Sequence, residues 1–477
     1  MKVALWWVRR DLRLADNPAL DMALRHGDAV IPAFILDPGL LSSRFVGPKR
    51  LAFLFHGLQE LDADLRARGS QLVVRRGDPL GELCSLLGDS GAGGIYAEQD
   101  FSPYARRRDR RVADHLPLHL QGGPTVHPPE AIRTRAGGAY RVFTPFSRTW
   151  ESLPQPGPAD VIQAPAHIPS PTAIPRGVDL ETLPTPRETP FRPGEAEALR
   201  LLRAFTRRKS GAIIRYAAER DRLDLEGTSR LSPYLRFGML SARQAVAAAR
   251  SIMEDVGGTA AGKGVESWMR QLIWREFFIG ALYHFPEART RGLRPDMAGL
   301  AWLNKEEDFA AWCEGQTGYP VVDAAMRQLH QTGWIHNRAR MIAASFLVKD
   351  LLVDWRWGER WFMQHLVDGD PAANNGGWQW MAGTGTDAAP YFRVFNPVLQ
   401  GQKYDPVGAF VRRWVPEMEH VDSRYIHRPW GMPEDVQRGA ACMIGKDYPA
   451  PIVDHAWARE RALAAYGQAR AMSGGAE

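Results

Sequence analysis

Over the first 130 residues the apolar positions fall in short runs. VALWWV at 3–8, AVIPAFILD at 29–37, QLVVRRGD at 71–78 and GIYAEQD at 94–100 are each about one strand long, and the stretches between them are long enough for helices. That alternation predicts right-handed crossovers and a parallel, doubly wound, Rossmann-like sheet. Asn17 followed by Pro18 marks the first helix start, because a proline there gives up a donor that has no helical partner anyway. No GxGxxG follows the first run, so the topology comes without a dinucleotide signature. Between 153 and 194 prolines crowd the chain; each removes an N–H and fixes φ, which reads as connector and domain boundary. Beyond 195 the pattern turns helical, as in SARQAVAAARSIM and in YPVVDAAMRQLHQTG, where Val321, Ala325 and Leu329 share a face. The expected organisation is an α/β domain over 1–128, an extended Pro-rich connector over 129–194 and an all-α domain over 195–470.

Composition narrows the partners. A chain of 477 residues allows two or three domains. Lys plus Arg at 60 against Asp plus Glu at 54 leaves +6, which favours a polyanion, nucleic acid being the natural candidate. Cys84, Cys313 and Cys442 are too scattered for a disulfide framework or a metal site, so no metal is expected. The apolar start MKVALWW is too short for a signal peptide, and no run reaches the roughly 20 apolar residues a membrane span needs. A cytoplasmic protein is expected. Its 16 tryptophans, most of them after residue 260, exceed what a helical core requires.

The chemistry concentrates in residues 365–397, HLVDGDPAANNGGWQWMAGTGTDAAPYFRVFNP. A buried, unpaired carboxylate or amide costs roughly 1–3 kcal/mol, so Asp368, Asp370, Asn374 and Asn375 beside Trp378 and Trp380 read equally as a solvated loop with the two tryptophans folded back on the core or as a site for a partner rich in donors and acceptors. A flavin is one. DGD, NNGGWQW and GTDAAPYFRVFNP, in that order, resemble the flavin-binding signature of the DNA photolyase and cryptochrome family. LWWVRRDLRLADNPAL at 5–20, EGTSRLSPYLRFGMLS at 226–241, RQLIWREFF at 270–278 and the long stretch 317–362 extend the resemblance over nearly the whole chain. Within the family it is most similar to bacterial class I cyclobutane pyrimidine dimer photolyases.

The resemblance implies an antenna domain followed by an FAD-binding domain. Tyr216 and the run Thr228, Ser229, Arg230, Leu231 and Ser232 match positions that hold the FAD diphosphate and ribityl chain, although Thr and Ser there would equally cap a helix. Asp368, Gly369 and Asp370 match the segment lining the flavin ring, and Arg340 the arginine that pairs with the first acid. Asn374 matches the residue facing the reactive flavin nitrogen, where an amide donates or accepts while an ionised Asp can only accept; alone, it reads as a turn residue. Trp378, Trp355 and Trp302 match three tryptophans that carry an electron from the surface. Trp274 and Trp380 match walls against which a lesion stacks, with Asn337 and Met341 beside them and Arg220, Arg275, Arg338 and Arg393 on a phosphate-gripping rim, although pairing within the protein is equally open to any one of these arginines.

Gln271 departs from the pattern. Enzymes acting on cyclobutane dimers commonly carry a glutamate there, whereas animal (6-4) photolyases and cryptochromes carry glutamine; TGWIHNRARM, however, lacks the paired histidines of the (6-4) subgroup. Arg50 and Asp100, with PYARRRD at 103–109, resemble the antenna site of members using 8-hydroxy-5-deazaflavin or a flavin rather than folate. The implied activity is light-driven repair of cyclobutane pyrimidine dimers by electron transfer from reduced FAD, on single- or double-stranded DNA, by a monomer. A cryptochrome photoreceptor and a (6-4) photolyase are the alternatives.

Overall fold

Strands β1 (Val3–Val8), β2 (Ala29–Leu36), β3 (Val73–Arg76), β4 (Gly94–Glu98) and β5 (Leu118–Gln121) form one parallel sheet in the computed structural model, in the order β3-β2-β1-β4-β5. The structure describes residues 1–183, 191–390 and 392–474; residues 184–190 of the expected connector, Tyr391 and the last three residues lie outside the described residues. The first four strands are those the apolar runs predict. The fifth, LHLQ, was not anticipated, because it alternates half-buried and exposed positions and has no continuous apolar run. β2 is buried throughout and β1 nearly so, as expected for a sheet covered on both faces. The helix Pro18–His26 begins where Asn17 predicts it, with the Asn17 side chain accepting the Leu20 N–H at 3.0 Å. The strand order reverses between β1 and β4, so the C-terminal ends of these two strands border the crevice where doubly wound sheets bind ligands.

The region expected to be an extended connector is not extended throughout. Phe143–Ser152 is a helix, its buried Phe143, Phe146 and Trp150 forming one apolar stripe. Trp150 Nε1 donates to Glu276 at 2.6 Å and so ties the stripe to the long helix Ala260–His284. Prolines on its C-terminal side masked this periodicity. From 153 to 183 only the short turns Pro158–Asp160 and Leu180–Thr182 are helical.

Beyond this the chain is helical, and no strand follows β5 among the described residues. Ala242–Val256 is closed by a capping box between Ser241 and Gln244, and Pro320–Thr332 occupies the predicted stretch. The chain divides into two compact units. The first comprises 1–217, 228–286 and 367–372; the second comprises 218–227, 287–366 and 373–477. The expected boundary near 194 therefore marks a change in secondary structure, while the helices after it up to 286 pack with the sheet unit. In the first unit Leu5, Trp7, Ile31 and Ile95 centre the sheet core; in the second, Trp312, Val322, Phe346, Trp355 and Trp378 belong to one buried cluster. No helix among the described residues is long and apolar enough to cross a membrane.

Candidate functional site

In the first unit the run from Thr228 to Ser232 forms a turn with Arg230 in left-handed conformation at φ 51°. Leu231 caps the short helix Ser232–Phe237 and no side chain supplies a capping bond, so the capping alternative for Thr228 and Ser229 is not what the fold uses. Thr228, Ser229 and Arg230 are half-buried and Ser232 is exposed. Tyr216 is buried, edge-on to Phe205 at 5.9 Å.

Asp368 is buried, as a ring-lining acid would be. Asp370 is also held by the protein: its Oδ1 accepts the Ala372 N–H at 2.9 Å and its Oδ2 accepts Arg10 Nη2 at 2.7 Å. Arg236 Nε donates to the Gly369 carbonyl at 2.8 Å; burial and the charge of Arg10 push its guanidinium down to about 9.

The lesion-side residues of this unit are also placed. Trp274 stacks flat on Phe143, ring centroids 3.8 Å apart and planes 3° from parallel. Gln271 Nε2 donates to Ser267 O at 3.1 Å along its own helix. Arg275, expected on the rim, is half-buried and donates to Pro124 O at 2.5 Å and Leu235 O at 3.2 Å. The two carbonyls satisfy donors that burial would otherwise orphan.

At the strand crevice Asp100 accepts the Ser102 N–H at 3.0 Å and faces Arg10 Nη1 at 3.5 Å. Burial alone would raise its pKa, but the charge of Arg10 and the Ser102 N–H prevail and hold it below the ordinary value. Arg50 is buried and donates to Phe45 O. The arginine run lies on the helix Pro103–Ala113, where Arg108 covers Trp7 at 4.8 Å and Arg106 covers Tyr283 at 4.0 Å, so only part of it faces solvent.

In the second unit Asn374 is not a turn residue; it sits buried in the helix Pro371–Ala382. Its Nδ2 donates to Glu359 O at 2.9 Å and to Glu359 Oε1 at 3.2 Å, and Arg289 Nη1 donates to the same Oε1 at 2.9 Å. With the nitrogen committed, the amide turns its oxygen to any ligand N–H. A Cβ added at Gly377, one turn along, would meet nothing within 4 Å, so open space adjoins this face. A buried amide oxygen beside open space fits a flavin edge.

Trp378 follows one turn after Asn374 and is buried. Gly358 makes room for it: a Cβ there would lie 2.1 Å from Trp378 Cη2. Trp355 is buried in the same cluster and Trp302 packs against it half-buried. Trp312 meets Trp378 edge-on at 6.0 Å. Arg340 Nε donates to Ile335 O at 2.9 Å. Asn337 is exposed, its Nδ2 3.7 Å from the Met341 sulfur, while Met341 and Trp380 are half-buried. Arg338 is engaged with Asp221 at 2.8 Å and lies over the Tyr404 ring at 4.4 Å. Arg220 stands 3.7 Å from Asp221, and Arg393 is exposed. Arg10, Arg289, Trp312, Gly358 and Glu359 escaped the sequence reading. Glu359 lies 15 residues before Asn374 and Arg10 lies 360 before Asp370, separations at which no local spacing carries a signal.

A parallel-sheet unit with a ligand crevice, and a helical unit built around a buried amide and a row of buried tryptophans, together define a flavoprotein architecture. Residues 4–166 match the family described as DNA photolyase, and residues 268–468 match the FAD binding domain of DNA photolyase. The deoxyribodipyrimidine photo-lyase of Agrobacterium fabrum is 40% identical over 475 residues, 96% of each chain. Among solved structures, a class III photolyase from Agrobacterium tumefaciens superposes with a TM-score of 0.92 at 38% identity over 98% of each chain. A cryptochrome from Synechocystis gives 0.87 at 28% identity, over 97% of this chain and 99% of its own. The chain belongs to the DNA photolyase family.

Proposed function

We propose that this protein is a deoxyribodipyrimidine photo-lyase that repairs cyclobutane pyrimidine dimers in single- or double-stranded DNA. Bound FAD, once reduced and excited by light, supplies the electron that opens the dimer ring and receives it back. The observation that carries the reading is the helix Pro371–Ala382, where Asn374, its nitrogen anchored by Glu359, and Trp378 lie one turn apart beside open space at Gly377. With its nitrogen on Glu359, Asn374 would have its oxygen to offer to an N–H at the flavin edge. Tyr216, Thr228, Ser229 and Arg230 supply hydroxyls and donors for the diphosphate and ribityl chain, with Asp368 and Arg340 at the ring. Trp378 and Trp355, both buried, and half-buried Trp302 are the side chains that would relay electrons from an external reductant to a bound flavin.

For the lesion we assign Trp274 and Gln271 in the first unit and Trp380, Asn337 and Met341 in the second, and for DNA phosphates exposed Arg393 with Arg220. Phe143 holds the Trp274 ring plane. Asp100 and Arg50 mark an antenna pocket in the domain 1–128, joined by 129–194 to the FAD-binding domain 195–470; the family matches at 4–166 and 268–468 support the order of the two domains. A monomer acting on cytoplasmic DNA is the simplest form consistent with the net charge of +6.

The test is repair of a defined oligonucleotide carrying one cyclobutane dimer under blue light, with a dark control and a matched (6-4) substrate. Light-dependent restoration of the cyclobutane substrate is expected. Repair of the (6-4) substrate alone would reassign the pocket around Gln271, and light-driven flavin reduction without repair of either would make the protein a cryptochrome photoreceptor.

A further inference from the structure

We propose that Arg10 is a positioning residue of the flavin segment, holding Asp370, and with it the start of the helix Pro371–Ala382, against the end of β1. The inference rests on the flavin reading above and extends it to a residue outside the flavin and lesion motifs.

The backbone of Arg10 has no latitude. Gly238, at φ 65°, lies so close that a Cβ would be 1.8 Å from the Arg10 carbonyl oxygen, and Leu12 N–H donates to Phe237 O at 3.2 Å. From this fixed root the guanidinium reaches three separate segments. Nη2 donates to Asp370 at 2.7 Å, Nη1 faces Asp100 at 3.5 Å and Nε donates to Arg236 O at 3.2 Å. Three donors in one rigid plane are an arginine property; a lysine ammonium at that point serves one partner well and the others poorly. The arginine and aspartate side chains are 16% and 13% exposed, so solvent screens their attraction only partly.

Asp370 is the hinge of the argument. One of its oxygens takes Arg10 and the other takes the Ala372 N–H, so the carboxylate that Arg10 holds is also the one that caps the start of the helix. Asn374 is the fourth residue of that helix and Trp378 follows a turn later. Arg236 stands 3.8 Å from the same Asp370 oxygen, too far to replace the lost bond without movement. Releasing Arg10 therefore lets the helix start shift, and the amide facing the flavin shifts with it.

The experiment uses the full-length protein purified with FAD bound, as wild type, Arg10→Lys, Arg10→Gln, Asp370→Asn and the Arg10→Gln/Asp370→Asn pair. Three quantities are read: the rate of FAD release on dilution, the midpoint potential of the bound flavin, and the urea midpoint of unfolding. Arg10→Gln and Asp370→Asn should each speed FAD release about tenfold or more and move the potential in the same direction, and the double variant should stay within about twofold of either single one, because both remove one shared pair. Arg10→Lys should recover part of the potential shift. Wild-type release and potential in Arg10→Gln, or single-variant effects that multiply in the double, would overturn the proposal; so would a lowered urea midpoint with an unmoved potential, the mark of a merely structural pair. Should Arg10→Gln fail to fold, Arg10→Lys and Asp370→Asn carry the comparison. Failure of the photo-lyase reading looks different: a wild-type protein that retains no FAD or repairs nothing in light, whatever stands at position 10.

Discussion

Trp378 and Lys349 are both deeply buried, one as an apolar ring that carries charge only transiently, the other as a permanent ionisable group. Replacing Trp378 with Phe keeps the apolar volume but removes the easily oxidised indole. FAD should stay bound while photoreduction of the oxidised flavin slows at least tenfold, on the order of the effect of a 1.4 kcal/mol rise in barrier, and chemically reduced enzyme should still repair. Photoreduction at the wild-type rate would exclude Trp378 from the electron route. Lys349 lies in the π-helical turn Phe346–Asp350 with its ammonium 3.4 Å over the Tyr466 ring, and burial pushes its pKa from 10.5 to about 7. Between these values the unfolded chain binds a proton that the folded chain does not. Stability should therefore rise with pH across that window, by at most about 1.4 kcal/mol per unit from this group. In Lys349→Met that rise should vanish and stability at pH 7 should exceed wild type, read from urea unfolding at pH 7, 8 and 9. A variant whose advantage grows with pH would contradict the sign.

Between elements, one close fit is where the helix Trp355–His365 meets the helix Pro371–Ala382. Gly358 is there for space rather than backbone freedom, since its missing Cβ would sit 2.1 Å from Trp378 and 2.7 Å from Leu347 Cδ2. Gly358→Ala gains about 1 kcal/mol of helix propensity but overpacks the contact at about 1–3 kcal/mol, so overpacking should win. The expected outcome is a lower melting temperature with slowed flavin photoreduction, and a stabilised variant with normal photoreduction would show that the ring has room to move. Element existence was legible where the period was long or the cap explicit, as at Asn17, Ser241 and the stretch 320–332. It failed at β5, whose four residues carry no continuous apolar run, and at Phe143–Ser152, whose stripe of Phe143, Phe146 and Trp150 adjoins a proline-dense stretch.

For the whole molecule the formal charge of +6 promises attraction to DNA, yet charge count alone overstates the grip. Of the four arginines assigned to the rim, Arg275 donates to two carbonyls, Arg338 is paired with Asp221 and Arg220 stands 3.7 Å from the same Asp221, whereas Arg393 is exposed. Each phosphate contact contributes a slope of about −0.9 in log affinity against log salt, so Arg393→Gln should flatten the slope by about that amount while Arg338→Gln leaves it nearly unchanged. Fluorescence anisotropy on undamaged duplex over a range of salt reads this, and equal flattening by both would put Arg338 back on the DNA. By itself the sequence determined four strands, the first helix start at Asn17 and the motif residues that identify the family, because period, caps and motif spacing are written within a few neighbouring positions. Only the tertiary structure decided that Asp370 answers to Arg10, that Arg275 donates to two backbone carbonyls and that Asn374 commits its nitrogen to Glu359. Those outcomes depend on which distant side chain or carbonyl claims each polar atom once water is excluded, and that competition is settled by packing across hundreds of residues rather than by any local pattern.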